Sequence, residues 1–383
     1  MKFARYLTPV VSVCTAALIM CIAARTFTVR VSAQGDVLAR ARALHKQVPL
    51  IDGHNDYPWA LRENNAERDL DKLDIRMPQP KLMTDIPRLR AGGVGGQFWS
   101  VYIPVTIQGP AAVVTTLEQI DIVHRMVRKY PDTFELATTA ADVERIFKAG
   151  RIASLIGMEG GHSIDNSLTT LRMFYATGAR YMTLTHSSNT GWADSCTDKP
   201  ASHGLSTFGE EVVREMNRLG MMVDLSHTSP ETMEDAIRVS EAPVIFSHSG
   251  ARALNDHVRN VPDNVLEMLG KNGGVVMVNF YPVFLAKDGK ATVADVANHM
   301  DHIRKVAGPD HVGIGSDFDG IPSVPVGLED VSKYPALTAE LLRRGWSDDD
   351  VKKALGLNVL RVMRRVEAVA ARLERTRALS GHH

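Results

Sequence analysis

The sequence predicts a closed (β/α)8 barrel of the TIM type. Three observations predict it. Eight short apolar, β-rich runs alternate with segments of helical periodicity. Some of those runs, such as Val275-Val276-Met277-Val278, are apolar on both faces, as a strand between a barrel interior and an outer ring of helices must be. Polar residues follow nearly every run, where an open, doubly wound sheet would gather them at one switch point.

In chain order the strand-like runs are Val48 to Asp52, Gly96 to Tyr102, Ile152 to Met158, Arg180 to Thr185, Met221 to Ser226, Pro243 to Ser247, Gly274 to Phe280 and His311 to Ser316. Between them, apolar residues recur at helical spacing over Ala111 to Tyr130, Ala141 to Ala149, Ser206 to Leu219, Pro230 to Val239, Pro262 to Asn272 and Val293 to Val306. Ser229 before Pro230 and Glu231 is an N-cap signal. Gly150, Gly220 and Gly273 stand where C-cap glycines belong. The tail from Asp348 to Arg377 reads as two amphipathic helices packed outside the barrel.

The chain has 383 residues, 44% apolar and 23% charged, with 44 basic and 44 acidic side chains. That balance, without a long basic run, points away from nucleic acid as a partner. Lys2 and Arg5 precede an uncharged stretch from Tyr6 to Ala24, and Val31-Ser32-Ala33 supplies small residues of the kind found before a cleavage site. Residues 1–33 therefore read as an export signal, or as an uncleaved N-terminal anchor that would tether the chain to a membrane. Either places the protein outside the cytoplasm: periplasmic, secreted or membrane-anchored. Residues 34–383 then form one barrel domain with C-terminal helices. Cys14 and Cys21 lie in the leader, so Cys196 alone remains and no internal disulfide can form.

Histidines and carboxylates collect at the carboxyl ends of the predicted strands. His54 and Asp56 follow the first, Glu159 the third, His186 the fourth, His227 the fifth, His248 the sixth, Tyr281 the seventh and Asp317 the eighth. In a closed barrel those ends form one rim, so positions as distant as His54 and Asp317 converge. His54 and Asp56 alternate about Asn55, and in extended chain both point the same way. Imidazole with carboxylate is a donor set zinc favours at hydrolytic sites. Five ligands, His54, Asp56, Glu159, His227 and His248, exceed the three usual for one catalytic zinc, and Glu159 could bridge two ions about 3.5–4 Å apart. Two Zn2+ per chain, with a bridging hydroxide as nucleophile, is the reading that follows. Asp317, first past its strand, can carry the proton from water to leaving group, whereas Asp319 before Gly320 suits a turn.

A lone His-x-Asp is weak evidence; the recurrence of histidines in small or hydroxyl-rich turns after strands is much stronger. His45, His124, His203, His257, His299, His302 and His311 lack that placement and read as solvated or helix-surface residues. His162, in the loop after Glu159, either supports the site from behind or orders its loop.

Asp52-Gly53-His54-Asn55-Asp56, Gly157-Met158-Glu159-Gly160-Gly161-His162, Thr183-Leu184-Thr185-His186-Ser187, Asp224-Leu225-Ser226-His227, Ser247-His248-Ser249, Arg259-Asn260-Val261-Pro262-Asp263 and Gly315-Ser316-Asp317-Phe318-Asp319-Gly320 together resemble the membrane (renal) dipeptidase family of zinc metallopeptidases. The resemblance spans about Pro49 to Asn358. It implies hydrolysis of dipeptides with a free C-terminal carboxylate. It also implies that His54, Asp56 and Glu159 hold one zinc, and that Glu159 with His227 and His248 holds the other. His186 polarises the scissile carbonyl, Arg259 binds the substrate carboxylate and Asp317 moves the proton. Tyr281 either lines the substrate pocket or packs. Two features depart from mammalian members. No apolar C-terminal stretch of about 10–20 residues offers a lipid-anchor signal. The single mature cysteine speaks against a disulfide-linked homodimer, leaving open a homodimer held otherwise. The competing readings are a zinc amidohydrolase acting on other amides, and a non-catalytic maturation factor on the same barrel.

Overall fold

The computed structural model describes residues 36–63 and 68–379, so the segment read as export signal or anchor lies outside it. Among the described residues no helix is long and apolar enough to cross a membrane. The strands are β1 (Leu50–Asn55), β2 (Val94–Ser100), β3 (Phe134–Leu136), β4 (Ile152–Glu159), β5 (Ala179–Thr183), β6 (Met222–Asp224), β7 (Ile245–Ser249), β8 (Val275–Val278) and β9 (Val312–Ile314). All ladders are parallel, and β1, β2 and β4 to β9 close a ring of eight.

The ninth strand, β3, was not predicted. It pairs with the first half of β4, Phe134 opposite Ile152 through Leu136 opposite Ser154, while β5 pairs with the second half from Ile156 onward. One edge of β4 is thus shared by two short strands laid end to end. A three-residue strand carries too little periodicity to be read locally.

The helices at Pro230–Val239 and Val293–Val306 fall at their predicted bounds, and Ser229 caps the first by accepting from the Thr232 amide. Several strands are shorter than predicted, β6, β8 and β9 most of all. Past the ends of β6 and β9, at Asp224 and Ile314, the Leu225 and Gly315 amides still bond the neighbouring strands, and buried carboxylates take the amides one residue further on. Ser226 N donates to Asp224 Oδ1 at 3.2 Å, and Ser316 N to Asp52 Oδ1 at 2.7 Å. These aspartates also stitch the thinnest seams of the ring. β1 meets β9 through Asp52 and Ile314, and β6 meets β7 through Asp224 and Ile245. Asp52 adds bonds from the Ser316 hydroxyl and Tyr334 hydroxyl, both 2.7 Å, and from Gln97 at 3.0 Å.

The tail is one helical run rather than two separate helices: Asp348–Lys352 passes through a π turn, Lys353–Leu357, into Asn358–Leu379. Its Val359, Leu360, Val362 and Met363 share an apolar cluster with Ile51, Phe98, Met222 and Met277 of the strands. Because the site occupies the carboxyl ends of the strands, this packing seals the opposite end.

Two histidines expected at the surface are buried. His299 is 1% exposed; its Nε2 bonds the Leu285 carbonyl and its Nδ1 accepts from the Ala251 amide. His45, 4% exposed, lies between the Gly92 carbonyl and the Thr338 hydroxyl. Burial pushes its pKa down to about 4, with Arg42 adding and the Gly92 bond opposing. A folded-state value below the unfolded one means that neutral His45 contributes stability in full above about pH 6.5. That contribution, worth up to about 3 kcal/mol, is lost as pH falls toward 4. Thermal midpoints should therefore drop more steeply between pH 6.5 and 4 in the wild type than in His45→Gln, which cannot take the proton. Equal slopes would remove His45 from the acid sensitivity of the fold.

Candidate metal centre and active site

The strand-end residues converge as the barrel predicted. Glu159, the last residue of β4, lies at the centre. Its Oε2 is 3.3 Å from His54 Nε2, and its Oε1 is 3.0 Å from His227 Nε2 and 3.4 Å from His248 Nε2. His54 Nε2 is also 3.3 Å from Asp56 Oδ2. Two donor groups with mutually close atoms result, His54–Asp56–Glu159 and Glu159–His227–His248, sharing the one carboxylate. A third, His54–His248–Asp317, overlaps both. The convergence of His54 and Asp56 differs in one respect from expectation. Asp56 has left the extended conformation, at φ −95° and ψ 18°, to start the helix Tyr57–Leu61. Gly320 permits this, because a Cβ there would sit 2.1 Å from Asp56 Oδ2.

The donor set fits a pair of divalent cations. His54 Nε2 and Asp56 Oδ1 are buried yet have no hydrogen-bond partner, a costly arrangement unless something else satisfies them. The far side of the ring fixes the tautomer. The Tyr181 hydroxyl donates to the Gly53 carbonyl at 3.1 Å, so its oxygen, 2.9 Å from His54 Nδ1, accepts the proton carried there. His54 Nε2 is left with its lone pair turned to the cluster. Burial disfavours charge on His54, yet Tyr181, Glu159 and Asp56 outweigh it and favour positive charge at this spot. A divalent cation meets the same electrostatic demand. Burial alone would raise the Glu159 carboxyl, but His54, His227 and His186 around it hold it well below the usual carboxylate range.

Tyr181 was not singled out from the sequence. It stands opposite Gly157 in the β4–β5 ladder, and a Cβ on Gly157 would lie 2.0 Å from its ring. Only glycine leaves the slot through which the phenol reaches His54. Asn279 was missed as well. Its Nδ2 donates to Asp317 Oδ2 at 2.8 Å. Asp317 and His227 both adopt left-handed backbone, at φ 65° and 68°, a strained conformation for residues with a Cβ. Burial pushes the Asp317 carboxyl well above its usual range; Asp56 and Glu159 add to this, while His54 and Asn279 oppose it.

Asp56, Glu159, His186, Arg259, Tyr281 and Asp317 line one cleft of about 370 Å³, near the lower end of the usual ~300–1,000 Å³ for small-molecule sites. His186 stands beside the donor cluster, its Nε2 3.7 Å from Glu159 Oε1 and its ring 4.2 Å from that of His227. Burial lowers its pKa, with Glu159 opposing and Arg259 adding. Arg259 is 4% exposed. One of its nitrogens donates to the His248 carbonyl at 3.3 Å, and its Nε and Nη1 have no partner. Tyr281 is half-buried and meets Phe284 edge-on at 4.8 Å.

Asp319 forms a left-handed turn, as its Gly320 neighbour suggested, and accepts from the Met83 amide at 2.6 Å. It also lines the cleft, which the turn reading did not include. His162 is buried behind His186, its ring against Gly160. Burial lowers its pKa to about 4, and His186 adds to the shift.

This architecture has relatives. The sequence profile of the membrane dipeptidase family (peptidase family M19) matches residues 38–377. Dipeptidase verJ of Clonostachys rogersoniana is 47% identical over 353 residues, covering 89% of this chain and 90% of that protein. A metallo peptidase from Rhodobacter sphaeroides, solved with a phosphinate mimic of the dipeptide L-Ala-D-Ala, superposes with a TM-score of 0.77 at 29% identity. That match covers 83% of this chain and 99% of the other. The family M19 metallo peptidase called dipeptidase AC matches at 31% identity and a TM-score of 0.77, over 83% and 98% of the two chains. With the profile spanning nearly the whole barrel, the chain belongs to the membrane dipeptidase family, peptidase family M19, and is a peptide-bond hydrolase.

Proposed function

We propose that the protein is a two-zinc dipeptidase that hydrolyses the amide bond of dipeptides bearing a free C-terminal carboxylate. The observation that carries this reading is Arg259. A buried guanidinium that lines a small cleft together with Asp56, Glu159 and His227, and that has two nitrogens without a hydrogen-bond partner, has the chemistry to take a carboxylate in a forked pair of hydrogen bonds. With the carboxylate gripped there, the size of the cleft limits the substrate to about two residues.

His54, Asp56 and Glu159 would hold one cation, and Glu159, His227 and His248 the other. When bound, the two cations supply an activated water and Lewis-acid pull on the scissile carbonyl. The side chains do the rest. Neutral His186 directs an N–H toward the carbonyl oxygen as negative charge develops on it. Asp317, held by Asn279, accepts a proton from the attacking water and delivers it to the departing amine nitrogen. Burial raises its pKa, which makes it a better proton acceptor than an exposed carboxylate. Tyr281 lines the same cleft as Arg259 and would pack against the C-terminal residue of the substrate. A catalytic assignment is favoured over a maturation factor because metal binding alone needs neither His186 nor Asp317.

Metal analysis of the purified chain, combined with L,L and L,D dipeptides and their C-terminal amides, tests this reading. Two zinc ions per chain are expected. Amidation removes the anion but keeps the scissile bond, and should lower kcat/KM by about 10–100-fold, the worth of one or two charge-assisted hydrogen bonds. Amides hydrolysed as well as the free acids would exclude Arg259 as a carboxylate anchor.

A further inference from the structure

The two histidines whose outer nitrogens are clearly bonded are oriented by different chemistry. His54 is held by the Tyr181 phenol. His248 is held by a chain that begins at a buried carboxylate. Ser247 Oγ lies 2.8 Å from His248 Nδ1 and 2.6 Å from Asp224 Oδ2. A hydroxyl has one proton and goes to the stronger acceptor, so Ser247 donates to the carboxylate and accepts the Nδ1–H of His248. That places the lone pair of His248 on Nε2, the atom facing Glu159 and His227.

Asp224 is fixed to serve this purpose. It is fully buried on β6 and receives bonds from Ser247 N at 2.8 Å, Ser226 N at 3.2 Å and the Thr183 hydroxyl, besides the Ser247 hydroxyl. Both of its oxygens are thus committed to donors on the two neighbouring strands, β5 and β7, and just past the end of its own. Successive residues of a regular strand point to opposite faces, which would part Ser247 from the His248 ring. The β7–β8 register is instead irregular between Phe246 and Ser249, at the two residues concerned. The distortion lets the hydroxyl and the ring of adjacent residues meet.

We propose that Asp224, acting through the Ser247 hydroxyl, is the positioning group of the second cation site: it fixes the tautomer and aim of His248, and so sets how tightly that site holds its metal. The assignment rests on the two-cation reading given above. It separates the sites chemically, since the His54 side has no carboxylate behind its imidazole.

The test is a chelator titration of the zinc-loaded full chain, followed by metal content and by the absorption of a cobalt-substituted sample. Ser247→Ala should keep one cation as tightly as the wild type and release the other about 10–100-fold more readily, with excess zinc restoring hydrolysis. Ser247→Thr keeps the hydroxyl and should hold both. Ser247→Cys, with a weak donor and acceptor in the same place, should fall between and serves if the alanine variant does not fold. Ser247→Ala and Ser247→Cys that both retain two cations at wild-type affinity overturn the relay. A wild-type chain that holds a single cation overturns the two-cation reading instead, and this assignment with it.

Discussion

Asp317→Asn is expected to leave two zinc ions bound and to lower kcat for dipeptide hydrolysis by about 10²–10⁴-fold, the usual contribution of a positioned general acid/base. The carboxamide has the same shape, so Asn279 can still bond its oxygen and the left-handed backbone at position 317 is better tolerated by Asn than by most residues. What disappears is the ability to bind and release a proton. The metal count decides between two roles that the geometry permits, because Asp317 also lies within ligand distance of His54 and His248. Loss of a cation from the variant would make Asp317 a ligand. Both cations retained with undiminished turnover would take it out of the mechanism altogether.

Removing the metals should have the larger effect, on activity and on stability together. Chelation is expected to abolish hydrolysis and zinc to restore it. The thermal midpoint should fall as well, because ligand bound only to the native state stabilises it by about 4 kcal/mol when present at roughly a thousand times its dissociation constant. The cluster itself explains why the loss should be felt. Without cations, His54 Nε2 and Asp56 Oδ1 remain buried and unpaired, and Glu159 is crowded by imidazoles that burial keeps from charging. Metal-free protein that hydrolyses dipeptides, or whose midpoint does not move, would contradict the reading.

Much of the fold was legible because barrel strands and helices differ in period and length, and because glycines and capping serines mark the joins. The helix Pro230–Val239 is such a case, with Ser229 at one end. The site was legible for a second reason: a closed ring turns eight separate strand ends into one rim. His54, Glu159, His227 and His248 could therefore be grouped although up to 194 positions (248 − 54) separate them.

What escaped were partners defined by contact rather than by position along a strand. Asn279 lies near the end of a strand-like run and has no local signal linking it to Asp317. Tyr181 looks like any core aromatic until Gly157 is seen opposite it. His45 and His299 were misread because a histidine on a helix gives no sign of whether a carbonyl waits to receive its N–H. Asp224 stood within a recognised motif, yet strand periodicity does not say that its carboxylate reaches the next strand to bond Ser247.

The slot at Gly157 makes β4 a shared mount for both halves of the centre. Its last residue, Glu159, joins the two ligand groups, and two positions earlier the missing side chain admits the phenol that aims His54. A shift of this strand by a few tenths of an ångström would move the common carboxylate and tilt the imidazole in the same stroke. The two donor groups are mounted as one joint rather than two, so a methyl group added at Gly157, touching neither group, would disturb both at once.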